Sequence, residues 1–183
     1  MTRILRTLAL AGGLSMALAP AAEAAIKNVS MGIPSKSAKQ FSDMGVDVND
    51  YFPHRTTLRV GDSIRFVPAG FHTAELTANG SAPDPLIVPN GAKVSGANDA
   101  AGQPFWFNGR DQVGFNPALL SMGYGKKFAY DGSKRVSSGL PLAEKLKPMT
   151  VRFTKAGSYK ALCNIHPGME AVVKVNRRRR AAP

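Results

Sequence analysis

The sequence predicts an all-β domain: a sandwich of short strands interrupted by one long Gly- and Pro-rich insertion. Short β-rich runs lie towards both ends of the chain, punctuated by Gly and Pro, which favours a sandwich over an α/β sheet. The middle, Asn79 to Pro148, differs, holding 7 of the 13 prolines and 10 of the 18 glycines. A length of 183 residues, with 44% hydrophobic and 20% charged, fits one globular domain. That composition excludes a disordered, collagen-like or multi-span membrane chain.

In chain order, Arg3 and Arg6 give a basic start, and an apolar stretch from about Leu8 to Ala22 follows. Ala22-Glu23-Ala24 matches a signal-peptidase site, so residues 1–24 are expected to be a cleaved signal peptide. The stretch is short and broken by Gly12 and Gly13, unlike a membrane span. Arg3 and Arg6 are not adjacent, so no twin-arginine signal is expected. The mature chain would begin at Ala25 (183 − 24 = 159 residues) and be periplasmic or secreted. Lys and Arg total 24 against 12 Asp and Glu; without Arg3, Arg6 and Glu23 the balance is 22 − 11 = +11.

Alternation from Ala25 to about Ile33 predicts an opening strand, followed by a polar stretch from Pro34 to Gly45. Thr56–Val60, the Gly61-Asp62 turn and Ser63–Val67 read as a hairpin, and Phe71–Thr77 as a further strand. Thr150–Phe153 precedes the Ala156-Gly157 turn, and Tyr159–Cys163 with Ala171–Val175 forms a closing pair. The domain is therefore placed at 25–176, with the insertion at about 79–148. A structureless loop of that size is improbable, so part of it must pack. Leu86-Ile87-Val88 is expected as an edge strand. Phe105-Trp106-Phe107 and Ala118-Leu119-Leu120 are expected to pin the insertion down, with Trp106 as a packing anchor. Residues 177–183, with Arg177 to Arg180, read as a solvated basic tail, or as a docking arm for an acidic partner. Nucleic acid is not expected, because basic residues are not interleaved with stacking aromatics. Nor is a membrane span or an oligomer.

One cysteine and three histidines complete the useful inventory. A lone cysteine forbids an intrachain disulfide and is too few for a zinc site of several thiolates. In an oxidising compartment such a thiol is buried, paired with another chain, or bound to a metal. Cys163-Asn164-Ile165-His166-Pro167-Gly168-Met169 sets thiol, imidazole and thioether at three-residue spacing. Pro167 and Gly168 oppose a helix, so the segment is a loop joining two strands, able to turn three side chains towards one point. Thiolate, imidazole and weak thioether are donors that copper accepts in both oxidation states. Zinc would take the cysteine and histidine but gains little from methionine. A further donor must come from the remaining histidines. His72, at a turn entering a strand, is the better candidate; His54, among polar and basic residues, is expected to be an exposed loop histidine. No Gly-x-Ser-x-Gly elbow, phosphate-binding glycine loop or paired-carboxylate motif is present, so an enzyme is not expected.

This loop, following Phe153-Thr154-Lys155-Ala156-Gly157-Ser158-Tyr159, with a histidine upstream, resembles the blue copper cupredoxins, and within them the plastocyanin and pseudoazurin branch. The likeness covers about Thr56 to Thr77 and Met149 to Val175. It implies an eight-stranded Greek-key β-sandwich holding one copper ion, with His72, Cys163 and His166 as strong ligands and Met169 as the weak axial one. Two departures stand out. Thr73 occupies a place where asparagine commonly ties the two ligand loops together, and 90 residues separate His72 from Cys163. Tyr130-Asp131-Gly132-Ser133 to Ser137-Ser138-Gly139-Leu140 resembles a longer exported bacterial subset. The expected function is one-electron transfer, with the edge of His166 as electron port. The positive charge would steer docking to an acidic redox protein, such as a cytochrome or a copper reductase or oxidase. Copper handling, as chaperone or storage protein, is the alternative, although Met31, Met44, Met122, Met149 and Met169 are scattered rather than clustered. A metal-free interaction module is a third class.

Overall fold

The computed structural model describes residues 23–178. Residues 1–22 of the expected signal peptide and 179–183 of the expected tail lie outside them. The described elements are β1 (Ile26–Met31), α1 (Ser35–Asp43), β2 (Tyr51–Phe52), β3 (Arg55–Arg59), β4 (Ser63–Pro68), β5 (Glu75–Leu76), β6 (Ile87–Lys93), β7 (Asp111–Phe115), α2 (Pro117–Leu120), β8 (Lys127–Tyr130), β9 (Val136–Ser137), β10 (Met149–Phe153), β11 (Gly157–Leu162) and β12 (Glu170–Asn176). They form two five-stranded sheets, in the orders β2-β1-β4-β10-β8 and β3-β12-β11-β5-β9, and a separate ribbon, β6-β7. The expected all-β sandwich is what forms.

Period-two alternation builds the core. Val29, Met31, Ile64, Phe66, Met149, Val151 and Phe153 point inwards from the first sheet. Leu58, Leu76, Ala161, Ala171, Val173 and Val175 meet them from the second. A buried Phe or Ile of this kind contributes about 1.5–3 kcal/mol. The closing strands pair as expected, antiparallel, from Gly157↔Val175 to Leu162↔Glu170.

Thr56–Val60 and Ser63–Val67 do not make a hairpin. β3 runs parallel to β12 in one sheet, and β4 runs parallel to β1 in the other. The corner between them is held by backbone groups of other strands: Val60 N–H donates to Asn176 O at 2.9 Å, and Gly61 N–H, at φ +95°, to Phe153 O at 2.7 Å. Asp62 accepts from Arg59 N–H at 2.8 Å and Ala25 N–H at 3.0 Å. Alternation marks a strand with one buried face, yet does not say whether two such strands lie side by side or face each other across a core. The polar stretch after β1 contains α1, a helix without a fully buried residue.

Residues 79–148 divide into two parts. β8 pairs in parallel with β10, and β9 antiparallel with β5, so 127–137 contribute a strand to each sheet. Leu119 is fully buried and anchors its segment as expected. Residues 87–115 stand apart. Ile87 and Val88 join a strand paired only with β7, not an edge of the sandwich. Trp106 is 81% exposed and is no packing anchor; it meets Phe107 edge-on, and Phe107 stacks on Phe105. Those three aromatics, in the segment between β6 and β7, find partners only in one another, which leaves no core for the indole to fill.

Candidate metal centre

The ligand loops converge at one end of the sandwich. After β4 the chain turns through Ala69-Gly70-Phe71 and delivers His72, fully buried. Of the expected strand Phe71–Thr77, only Glu75 and Leu76 join a ladder. The reason lies in side chains that satisfy its backbone. Tyr124 Oη donates to His72 O at 2.7 Å, Tyr51 Oη to Thr73 O at 2.6 Å and Tyr130 Oη to Thr77 O at 2.6 Å. Ser138 Oγ accepts from Ala74 N–H at 2.9 Å. Burial pushes the Tyr124 and Tyr130 hydroxyls up to about 12, and raises Tyr51 well above the usual phenol value, so all three stay protonated donors.

Two glycines make room for the His72 ring. A Cβ on Gly32, at φ +105°, would lie 2.0 Å from Ala69 O and 2.9 Å from His72 Cδ2. One on Gly70 would lie 3.0 Å from the same ring. His72 Nε2 is buried with no hydrogen-bond partner among the described residues. The imidazole is therefore held by shape, at a cost of about 1–3 kcal/mol for the orphaned nitrogen.

Cys163 follows β11 and is 6% exposed. Its N–H donates to Met169 O at 3.1 Å, and Met169 N–H to His166 O at 3.1 Å, which closes the loop. Thr73 N–H approaches Cys163 Sγ at 3.5 Å. The Thr73 hydroxyl lies 3.7 Å from that sulfur but 2.8 Å from Asn164 Oδ1, and its one proton goes to the nearer acceptor. Asn164 N–H donates back to Thr73 Oγ1 at 2.8 Å. Thr73 thus ties the two ligand loops, the task expected of an asparagine. Burial pushes the Cys163 thiol up, but hydrogen bonds from the His72 side chain and the N–H groups of Thr73, His166 and Ile165 outweigh it. The net effect is a fall from 9.0 to about 6, so the thiolate form prevails at neutral pH.

His166 is half-buried, with its ring 4.7 Å from that of His72. Its Nδ1 lies 3.0 Å from His72 Nδ1 and 3.8 Å from Cys163 Sγ, and the three donor atoms all fall within 4.8 Å of one another. Met169 is 3% exposed at the end of the same loop. His54 is elsewhere, exposed and paired with Asp50 at 3.1 Å, as expected of a loop histidine.

These donors fit a metal. Bonds of about 2.0–2.1 Å to nitrogen and 2.3 Å to sulfur put neighbouring ligand atoms roughly 3–4 Å apart. The Nδ1–Nδ1 and Nδ1–Sγ separations of 3.0 and 3.8 Å lie in that range. Two imidazole nitrogens and a thiolate facing one point, with the thiol already acidified, form a donor set for a borderline-soft cation. The sandwich gathers histidine, cysteine and histidine at one end.

No protein-family model matches the chain, and no curated protein does. Among solved structures it is similar to pseudoazurin from Methylobacterium extorquens AM1, at 19% identity and a TM-score of 0.39, covering 84% of this chain and 77% of that one. A mutant plastocyanin of fern is 14% identical with a TM-score of 0.38, covering 81% and 99%. Amicyanin from Paracoccus versutus is 12% identical with a TM-score of 0.33, covering 85% and 84%.

Sequence reasoning missed Tyr51, Tyr124, Ser138, Gly32 and Asn164. Asn164 sat inside the quoted loop and carried the one available signal, a polar side chain beside the cysteine. The others lie 25 or more residues from Cys163 in sequence and show no local pattern.

Proposed function

We propose that the chain is an exported type 1 (blue) copper protein that carries single electrons between redox partners, and is not an enzyme. His72, Cys163 and His166 would hold the ion as strong ligands, with Met169 as a fourth, weaker one. The observation that carries this reading is the convergence of three donor atoms within 4.8 Å of one another, one of them a thiol brought down to about 6. Copper bound there supplies a one-electron Cu(II)/Cu(I) couple.

Each residue then has a part. His72, sealed behind Gly32 and Gly70, keeps water from that side of the site. Cys163 provides the anionic donor, and Thr73 N–H fixes its direction. His166 alone of the three is partly exposed, so its edge is the port for electrons. Such a site admits an electron while excluding a bulky substrate.

The partner we infer is an acidic redox protein. β1, β2, β4, β8 and β10 contain no acidic residue, and Arg65, Lys127 and Arg152 project from that sheet without an ion-pair partner among the described residues. Attraction of that kind speeds encounter and weakens with salt. No described helix is long and apolar enough to cross a membrane. Export rests on the reading of residues 1–24.

The test is a visible spectrum of the mature protein titrated with Cu(II), beside Cys163→Ser. An intense blue thiolate-to-copper band, bleached by reductant, restored by oxidant and lost in the variant, is expected. A weak colour unaffected by Cys163→Ser would defeat the proposal.

A further inference from the structure

We propose that Glu75 and Arg135 are a positioning pair for the metal centre: a buried carboxylate and its guanidinium that hold Asn164 and thereby lock the His72 and Cys163 loops together. The inference rests on the proposed metal site and adds residues to which neither the ligand motif nor the resemblance gives a role.

Glu75 has no exposed surface, although it follows His72 by only three residues. Its Oε2 accepts from Asn164 Nδ2 at 2.8 Å and from an Arg135 nitrogen at 3.2 Å, and its Oε1 from Asp84 N–H at 3.1 Å. Arg135 also pairs with the Asp84 carboxylate at 2.5 Å. Asn164 Nδ2 makes a second bond, to Asp84 O at 2.9 Å, while Oδ1 takes the Thr73 hydroxyl. Both ends of the Asn164 amide are therefore used. Three stretches far apart in sequence, 73–84, 135 and 164, meet in one network.

A buried ion pair is seldom retained for stability, because apolar replacements of similar volume are often as stable. Its product here is position. Thr73 N–H is directed at Cys163 Sγ by the same residue whose hydroxyl Asn164 holds, and Asn164 is held by Glu75. The pair also places opposite charges beside the centre. Losing the Glu75 charge favours an added electron, and losing the Arg135 charge opposes it. A merely structural contact would not produce opposite signs.

The experiment uses the mature chain with Glu75→Gln or Arg135→Gln, and has two readouts. In the metal-free protein, amide hydrogen exchange at Thr73 and Asn164 should quicken by about tenfold or more, while Ile64 and Phe66 in the central strands change by less than about twofold. With Cu(II) added, the reduction potential should rise in Glu75→Gln and fall in Arg135→Gln, and Arg135→Lys should recover most of the second shift. Unchanged exchange at Thr73 and Asn164 would overturn the proposal, as would potentials that move the same way. If Glu75→Gln fails to fold, seen as loss of protection at Ile64, Arg135→Gln decides, since that side chain is 32% exposed. If the parent protein forms no thiolate–copper band, the metal reading fails and exchange alone judges the pair.

Discussion

The ligand end of the sandwich and the β6–β7 ribbon are built on opposite principles. At the ligand end His72, Thr73, Glu75 and Ser138 are sealed from solvent, and their polar groups, His72 Nε2 apart, are answered by tyrosine hydroxyls, backbone amides and Arg135. Across the ribbon Ile87, Val113 and Phe115 are exposed, Trp106 is 81% exposed, and the two strands pair only with each other. The first region uses polar side chains to fix a shape; the second leaves apolar ones outside. Buried polar bonding in this protein is thus concentrated where two loops must hold donor atoms about one point. A two-stranded ribbon by itself is marginal in water.

The comparison breaks first in the core beneath the site. Phe153, fully buried against Tyr130 and Tyr159, should cost about 3–5 kcal/mol when changed to alanine, measured by urea unfolding of the metal-free protein. Gly32→Ala comes next, at about 3 kcal/mol. Its Cβ meets Ala69 O and the His72 ring at positive φ, so copper affinity should fall with stability. An unchanged titration would show that the ring is not held by shape. Thr73→Val strips Asn164 of two hydrogen bonds and should cost about 2 kcal/mol.

A pH series sharpens the electrostatic side. The Cys163 thiol titrates near 6 in the folded chain, against 9.0 ordinarily. Between those values the folded state holds fewer protons, so this contribution to stability is complete above about pH 9 and lost as pH falls through about 6. Thiolate ultraviolet absorbance of the metal-free protein should vanish with a midpoint near 6 and be absent from Cys163→Ser. A midpoint near 9 would remove the hydrogen-bond account of the site. Smallest of all, Trp106→Ala should change stability by no more than about 0.5 kcal/mol. A loss of several kcal/mol there would erase the contrast between the regions.

What the sequence made legible follows from the range of the interactions. The loop Cys163–Met169 and its flanking strands could be read because donor spacing, Pro167, Gly168 and strand alternation are local. The parallel pairing of β3 with β12 could not, because a two-residue turn looks the same whether the chain folds back or crosses between sheets. Glu75 and Arg135 lie 60 residues apart, and each reads alone as an ordinary surface charge. Trp106 misled for a physical reason: a large aromatic side chain usually finds a core, whereas Phe105 and Phe107 provide only each other.

The central claim is that one thiolate and two imidazoles close on a single ion, and X-ray absorption at the copper edge of the loaded mature protein tests it most directly. One short sulfur and two nitrogens, with the sulfur lost in Cys163→Ser, is the predicted result. A shell of nitrogen and oxygen alone, indifferent to that substitution, would contradict it.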